Sequence, residues 1–296
     1  MKDKKNVKSI LILVDDRNQF YSSTKEPGGS MNVDVIKKEL EYLGYSVIIK
    51  GFSEVEFRGD LYKDFFVLYQ STEDPDLRYK DYIEDILLGL KMSGARLIPR
   101  FEYFRAHHNK VFMEILREKM NYGEHIKSLH FGTFEELAKS EYKFSYPVVV
   151  KPGVGSRSRG IFLARNRKQL LKTVWKISSS FTFINTMRFL KSVFSLKSFK
   201  PISNNRKKFI IQEFISGLSG DYKVLVYGDK YYVVRRENRS RDFRASGSGL
   251  LSFPKIVPDG LLDYAQLIFK KSRAPFMGMD VACLDGRFYL IEFLCP

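Results

Sequence analysis

The hydrophobic positions in the first third of the chain fall into short continuous runs separated by stretches with helical spacing. The continuous apolar runs lie at residues 10–14, 45–49 and 65–69, and such runs are typical of parallel strands buried on both faces. Apolar residues spaced by three and four predict helices at 31–43 and 79–92. This alternation of strands and helices predicts a small, mostly parallel α/β sheet.

Two features bear on what this first sheet could bind. The dinucleotide fingerprint Gly-x-Gly-x-x-Gly is missing after the first run, so the Rossmann-like pattern does not predict an NAD site. Gly28, Gly29 and Ser30 precede a predicted helix and could form part of an anion site at its N-terminus. An ordinary turn explains these three residues equally well.

A strand, a glycine-rich loop and a second strand follow one another in the middle of the chain. The β-branched run 148–150 ends in Lys151, the loop spans residues 153–160, and a second apolar run covers 161–164. Glycines allow backbone N–H groups to approach phosphate oxygens, while lysine and arginine neutralise their charge. The pattern favours a polyphosphate site, although a plain hairpin turn is the alternative; it is not a Walker A loop.

The positive net charge of the chain indicates which kinds of molecule it could bind. Its 296 residues carry a formal net charge of +16, which favours anionic partners such as nucleotide phosphates, anionic polymers or a membrane surface. The two cysteines suit a reducing cytoplasm. The sequence contains no secretory leader and no apolar run long enough for a transmembrane helix. We therefore expect a cytoplasmic protein, with at most peripheral membrane contact.

Residues 168–208 stand out because they are basic, aromatic and almost free of acidic residues. Apolar side chains spaced by three and four alternate with lysine and arginine, which predicts an amphipathic helix with a cationic face. This helix could lie on an anionic membrane or line a channel for an anionic acceptor. It could also pack on its own domain with its charges in water, which is the interpretation we favour.

The C-terminal third combines paired carboxylates with a cluster of arginines. Arginines and small residues are concentrated in the loop 238–249, a composition suited to holding a phosphate in transfer. Strands predicted at 277–283 and 288–292 carry Asp280 and Glu292 among apolar residues. Paired carboxylates on neighbouring strands can bind Mg²⁺ whose other ligands are phosphate oxygens.

The order of these parts resembles the ATP-grasp superfamily of carboxylate–amine ligases, most closely its glutathione synthetase and ribosomal-protein glutamate ligase branch. The resemblance covers the whole chain and implies an α/β plus α+β fold. It implies a Rossmann-like pre-ATP-grasp domain at residues 1–105, a central lobe at 106–208 and a C-terminal lobe at 209–296.

The resemblance also implies which residues would act. The positions that match its ATP-binding residues are Lys110, Lys151, Gly155, Ser156, Gly160, Gln212, Glu213, Phe214, Ile215 and Asp221. Asp280 and Glu292 match its ligands for Mg²⁺ or Mn²⁺. Arg244 lies in a segment resembling the family's Asp-Phe-Arg motif, where it would meet the γ-phosphate, with Arg235 or Arg236 nearby.

Two departures from the family pattern affect the metal site. The family usually has an asparagine two residues after the last metal glutamate, but Leu294 stands there and cannot bind Mg²⁺. The chain also ends at Pro296, directly after this strand, where the family commonly continues with a loop and a helix. Either the chain is a compact variant or a tail is missing.

The resemblance implies an enzyme that uses ATP to turn a carboxylate into an acyl phosphate, which an amine then attacks. The substrates would be small or polymer-linked carboxylates and amines, for instance of a cell-surface polysaccharide, or a peptide. A dimer is plausible, and specific nucleic-acid binding is not expected. The alternative is a degenerate scaffold that acts only as a basic nucleotide-, nucleic-acid- or membrane-binding protein.

Overall fold

A computed structural model of the chain describes most of its residues. The described ranges are 8–23, 30–73, 77–121, 126–155, 160–180, 187, 203–240 and 242–295. The chain divides into two compact units. The first comprises Met1–His107, Arg273–Met277 and Leu294–Pro296, and the second comprises His108–Ser272 and Gly278–Phe293. The predicted separation of a central lobe from a C-terminal lobe stays a prediction.

The first unit is built on a parallel sheet flanked by helices. Its elements are β1 (Ser9–Val14), β2 (Ser22–Ser23), α1 (Val33–Tyr42), β3 (Ser46–Gly51), β4 (Phe66–Leu68), β5 (Thr72–Glu73), α2 (Arg78–Met92), β6 (Arg96–Ile98) and α3 (Phe101–Ala106). The four-stranded sheet has the order β3-β1-β4-β6, and all three of its strand pairs are parallel. The α/β pattern predicted from the apolar runs is confirmed.

Strand β1 is buried on both faces, as its continuous apolar run predicts. Leu11 and Leu13 pack in one cluster with Leu87 of α2. Ile10 and Ile12 pack in the opposite cluster, which partly buried residues of α1 complete. Successive side chains of a strand point to opposite faces, so one strand supplies both cores of the unit.

The second unit carries an antiparallel sheet and part of a five-stranded one. The elements that follow α3 are α4 (Lys110–Met120), β7 (Ser128–Phe131), α5 (Phe134–Lys139), β8 (Val148–Pro152), β9 (Phe162–Ala164), α6 (Arg167–Ser178), β10 (Phe209–Glu213), β11 (Gly220–Tyr227), β12 (Lys230–Glu237), β13 (Leu251–Ser252), α7 (Leu261–Ser272), β14 (Phe276–Leu284) and β15 (Arg287–Leu294). The antiparallel sheet has the order β7-β10-β8-β9, and the five-stranded sheet has the order β13-β12-β11-β14-β15.

The two faces of the sheet β7-β10-β8-β9 differ: one is an apolar core, and the other carries polar side chains that contact α4. Val148, Val150 and Ile211 pack in a buried cluster with side chains of α5 and α6. The alternate positions on the same strands include Lys151 and Gln212. Because strand side chains alternate, both point away from the core.

Several local signals in the sequence are confirmed. The hydroxyl of Thr133 accepts a hydrogen bond from the Glu136 N–H at 3.2 Å, and the Glu136 carboxylate accepts one from the Thr133 N–H at 3.1 Å. These bonds form the predicted capping box at the start of α5. The predicted hairpin also forms, because β8 and β9 pair antiparallel.

Other predictions shift slightly or lie outside the described residues. The sequence also predicts a helix that opens within residues 107–110 and runs to about Lys119. It forms as α4, whose first residue is Lys110 because the Asn109 side chain accepts a hydrogen bond from Phe112 N and caps the helix. The sequence did not predict α3. Most of the basic segment after α6 lies outside the described residues, as do Ser156 and the pair Gly28 and Gly29. In the described residues, no helix is long and apolar enough to cross a bilayer.

Candidate functional site

An open cleft in the second unit collects most of the residues that the sequence singled out. About 820 Å³ of empty space, open solvent included, lies between its walls. The predicted residues that line it are Lys151, Gln212, Glu213, Phe214, Ile215, Asp221, Arg244, Asp280 and Glu292. Its walls also include apolar side chains, among them Ile126, Val149 and Ile291. The cleft therefore joins an apolar wall to a charged one.

Lys151 lies on the polar face of β8 and contacts Gln212 of β10. In the antiparallel register, Lys151 is opposite Ile210 and Gln212 is opposite Val149, which makes the two residues diagonal neighbours on one face. The Lys151 ammonium donates a hydrogen bond to Gln212 Oε1 at 2.6 Å. Burial lowers the pKa of Lys151 to about 8, although the carboxylates of Glu114 and Glu292 counteract this effect.

Lys110, at the start of α4, holds the beginning of the glycine-rich loop. Its ammonium donates to the Gly155 carbonyl at 2.6 Å, and its backbone N–H donates to the Gly153 carbonyl at 2.9 Å. The same ammonium lies 3.9 Å from Glu292 Oε1. Lys110 itself does not line the cleft. It contacts the glycine-rich loop and Glu292, and Glu292 does line the cleft.

The glycines that begin the loop are required by the backbone. Gly153 donates its N–H to the Lys208 carbonyl at 2.8 Å, and a Cβ at this position would lie 2.7 Å from that oxygen. Gly155 has a φ of 136°, and Gly160, at the other end of the loop, has a φ of 73°. L-residues rarely adopt such values, so glycine is needed at both positions.

The segment 212–215, which the family resemblance matches to the hinge that contacts adenine, begins in the last two residues of β10. Gln212, Glu213, Phe214 and Ile215 all line the cleft. Phe214 packs edge-to-face on Phe243, with ring centroids 5.9 Å apart. This pair joins the predicted adenine-binding segment to the loop that carries Arg244.

A buried cluster of acids and bases forms the charged wall. Asp221 on β11 and Arg236 on β12 are directly opposite one another, and Arg236 Nε donates to Asp221 Oδ1 at 2.6 Å. Arg236 Nη2 lies 2.7 Å from Asp280 Oδ2, while Lys223 Nζ lies 3.8 Å from the other oxygen of Asp280. Burial raises the pKa of Asp221, and the Arg236 guanidinium counteracts this effect.

The two predicted metal ligands form only a partial site. Asp280 and Glu292 lie on the adjacent strands β14 and β15, and both line the cleft. Among the described residues, no three His, Cys, Asp or Glu side chains are grouped to hold a metal ion. Two carboxylates fit a Mg²⁺ ion that takes its remaining ligands from nucleotide phosphates and water, and they do not fit an ion held by protein ligands alone.

The arginines predicted to act on phosphate occupy three different settings. Arg244 lines the cleft and is gripped by Asp242, with Nε–Oδ1 at 2.9 Å and Nη2–Oδ2 at 2.8 Å. Arg236 is held by carboxylates. Arg235 lies one residue away on β12 and therefore on the opposite face, where its guanidinium stacks 4.7 Å from the Tyr222 ring centroid. Arg235 is not one of the residues lining the cleft.

Sequence reasoning missed two charged residues behind Lys151. Glu114 and Arg117 of α4 are both buried, and Arg117 Nη2 lies 3.3 Å from Glu114 Oε1. Charged residues three apart on a helix usually mark its solvent face. The signal that could have identified them is their position among apolar residues of the same helix, Met113 and Leu116.

No model of a known protein family matches the chain, and no curated protein matches it by sequence. Solved structures do match it. The VanG D-Ala:D-Ser ligase from Enterococcus faecalis is 16% identical, with a TM-score of 0.54, and the alignment covers 97% of this chain and 90% of the ligase. The ADP complex of purK, an N5-carboxyaminoimidazole ribonucleotide synthetase, is 13% identical, with a TM-score of 0.53 and coverage of 97% and 69%.

A third solved structure that matches the chain is described as an ATP-grasp protein. A RimK domain ATP-grasp protein from Sphaerobacter thermophilus is 11% identical to this chain, with a TM-score of 0.51, and the alignment covers 97% of this chain and 90% of the other. The three alignments each cover 97% of this chain, so they include both units. The chain therefore has the ATP-grasp fold that its sequence predicted.

Proposed function

We propose that the chain is an ATP-dependent ligase that activates a carboxylate as an acyl phosphate and joins it to an amine. One observation carries the proposal: a buried lysine, Lys151, faces the same cleft as the paired carboxylates Asp280 and Glu292. A cation for phosphate oxygens and two acids for Mg²⁺ are the groups that phosphoryl transfer from ATP requires. The likeness to a D-Ala:D-Ser ligase and to an ADP complex supports it.

The chain's contribution to this reaction is binding and electrostatics. The apolar wall and the segment 212–215 would hold the base, Asp221 would contact the ribose, and Lys151 and Lys110 would bind the phosphates. The substrate carboxylate attacks the γ-phosphorus, and the bond from that phosphorus to the β-phosphate oxygen breaks, leaving ADP. The amine then attacks the acyl carbon, phosphate leaves, and the nitrogen loses its proton.

Arg244 and the metal carboxylates would stabilise the charge that moves in these steps. The Arg244 guanidinium is oriented by Asp242 through two side-chain contacts, so it meets a developing negative charge without reorganisation. Asp280 and Glu292 would hold Mg²⁺ or Mn²⁺, which, when bound, neutralises charge on the β- and γ-phosphates.

The substrates we propose are anionic, small or polymer-linked carboxylates with an amine acceptor. The net charge of +16 favours acidic partners. A unit of a cell-surface polysaccharide, modified at the cytoplasmic face of the membrane, is one substrate that fits this charge. The tail of a peptide or protein is the other candidate substrate.

A second function is favoured by the state of the acids. Asp280 is engaged by Arg236 and Lys223, and Leu294 supplies no further ligand. A chain without a working metal site could still bind anionic polymers through its positive charge. Such binding would weaken steeply with salt and would not compete with nucleotides.

The deciding experiment is calorimetric titration with ADP and with a non-hydrolysable ATP analogue, each with and without Mg²⁺. Binding that strengthens with Mg²⁺ supports the ligase, and phosphate release can then be screened against candidate carboxylic acids. Binding indifferent to Mg²⁺, together with salt-sensitive binding of a polyanion, would favour the second function. Absence of nucleotide binding would refute the proposed ligase.

A further inference from the structure

A buried ion pair lies behind the cleft and has no role in the scheme above. Glu114 and Arg117 are three residues apart on α4, and their exposed fractions are only 5% and 2%. Charged side chains are almost never buried to this degree unless they are paired. Burying these two charged side chains is costly, so their position calls for an explanation.

Glu114 makes contact with three partners. Its Oε2 accepts a hydrogen bond from the Ser128 hydroxyl at 2.7 Å. Its Oε1 lies 3.3 Å from Arg117 Nη2 and accepts a long hydrogen bond, at 3.5 Å, from Gln212 Nε2. The carboxylate therefore ties α4 to β7 and to β10.

The contact with Gln212 decides which way that amide points. A carboxylate can only accept hydrogen bonds, so it attracts the NH₂ end of the amide. The carbonyl end is then left facing Lys151, where Oε1 accepts from the ammonium at 2.6 Å. A reversed amide would present N–H donors to an ammonium, which has no acceptor. Glu114 thus orients Lys151 through Gln212.

Arg117 extends the same network to the strand that carries Glu292. Its Nη2 donates to the Ile291 carbonyl at 2.8 Å, and Ile291 directly precedes Glu292 in β15. Nε and Nη1 of Arg117 are buried and have no hydrogen-bond partner in the described part of the chain. Replacing a buried ion pair with apolar residues of similar volume often leaves a protein equally stable. Stability alone therefore does not explain why this pair is charged.

Electrostatics supports the geometric argument. Burial lowers the pKa of Lys151 and so disfavours the charged form that binds phosphate. The Glu114 and Glu292 carboxylates oppose this effect, and the Arg117 and Lys110 cations add to it. Glu114 thus helps to keep Lys151 protonated.

We propose that Glu114 and Arg117 are positioning residues that set Lys151 and the Glu292 strand in the arrangement a nucleoside diphosphate requires. The inference rests on the proposed nucleotide site and adds residues that do not touch the nucleotide. The Gln212 side chain is bonded to Lys151 and Glu114, so only its backbone belongs to the segment proposed to hold the base. Loss of the pair therefore weakens ADP binding and leaves adenosine binding unchanged. A merely structural pair would weaken both ligands together.

The test compares ADP and adenosine affinities, by calorimetry, in the wild-type protein and in Glu114→Gln. The expected result is about a tenfold or greater loss for ADP, with adenosine affinity within about twofold of wild type. The matched control is Glu118→Gln, the same change at an exposed position one turn along α4, which should alter neither affinity. A second variant, Glu114→Asp, keeps the charge near Arg117 but shortens the reach to Gln212, and should show the same selective loss.

Each outcome decides the matter. Wild-type protein that binds no ADP refutes the proposed function itself, whatever the variants do. If wild type binds and either folded variant retains full ADP affinity, or loses both ligands equally, the positioning role is refuted. Failure of both variants to fold would make the pair a structural element and would refute it as well.

Discussion

Asp221 and Arg236 face one another directly across the strands β11 and β12, with 2.6 Å between Oδ1 and Nε. The family resemblance matches Asp221 to the ribose-binding acid and puts Arg235 or Arg236 near the γ-phosphate. Their contact links these assignments, because the same guanidinium also lies 2.7 Å from Asp280. We interpret Arg236 as the residue that orients two acids of the cleft, while Arg244 is the arginine available to the γ-phosphate.

This arrangement predicts a large loss of stability in Arg236→Gln. Removal of the cation leaves the buried Asp221 carboxylate without its partner, and breaking a buried ion pair in this way destabilises proteins by about 3–5 kcal/mol. Arg235→Gln, on the opposite face of the strand, loses only a partly exposed stack on Tyr222 and a hydrogen bond to Ser219, so it should cost about 1 kcal/mol. Urea denaturation of both variants checks the prediction, and equal effects would contradict it.

Lys151→Met should abolish most nucleotide affinity without unfolding the chain. The substitution removes a charged hydrogen-bond donor for phosphate but keeps the length of the side chain. We expect ADP affinity to fall about 100-fold or more, measured by calorimetry. Lys172→Met, on an exposed position of α6, is the control. An unaltered affinity in Lys151→Met would exclude this lysine from the phosphate site.

The pKa of Lys151 predicts opposite pH dependences for binding and stability. ADP affinity should fall as pH rises through about 8, because the lysine then loses its proton. The contribution of Lys151 to stability should rise between pH 8 and 10.5, because this lysine is protonated in the unfolded chain and neutral in the folded one in that interval. The gain is on the order of 3 kcal/mol.

A comparison with Lys151→Met isolates this contribution, since the variant lacks the titrating group. In unfolding and ADP titrations over the same pH range, the difference between wild type and variant should show both trends. Parallel curves for the two proteins would mean that other groups dominate.

Glu292→Gln should remove the effect of Mg²⁺ on nucleotide binding more cleanly than Asp280→Asn. Glu292 lies 3.9 Å from Lys110, whereas Asp280 is the closer partner of Arg236, at 2.7 Å. Asp280→Asn should therefore lose both the Mg²⁺ dependence of nucleotide binding and stability. Glu292→Gln should lose only the Mg²⁺ dependence. Calorimetry with and without Mg²⁺, combined with thermal unfolding, separates the two effects.

Arg244→Gln should distinguish triphosphate from diphosphate. The variant should keep its affinity for ADP and bind the non-hydrolysable ATP analogue about tenfold more weakly. The reason is that only the γ-phosphate is expected to meet this guanidinium. Arg235→Gln serves again as the control and should bind both nucleotides as wild type does. Equal weakening for ADP and the analogue in Arg244→Gln would exclude a γ-phosphate role.

The sequence predicted those features that depend on residues close together in the chain. The strand before Lys151, its pairing with the strand after the loop and the capping box at Thr133 depend on nearby residues, and the structure contains all three. The register of β11 against β12 is not local, so Arg235 and Arg236 were indistinguishable until their faces were known. Glu114 was missed because a helical pattern does not reveal that a charged residue will be buried under a partner distant in sequence.

The backbone around Gly153 has a consequence for the loop that follows. Both its N–H and its carbonyl are already bonded, to Lys208 and to Lys110, and the Gly155 carbonyl is held by the Lys110 side chain. A spectroscopic label attached before residue 155 would therefore report on a fixed anchor. Substitution of Lys110 would release this anchor, and the same label would report the change.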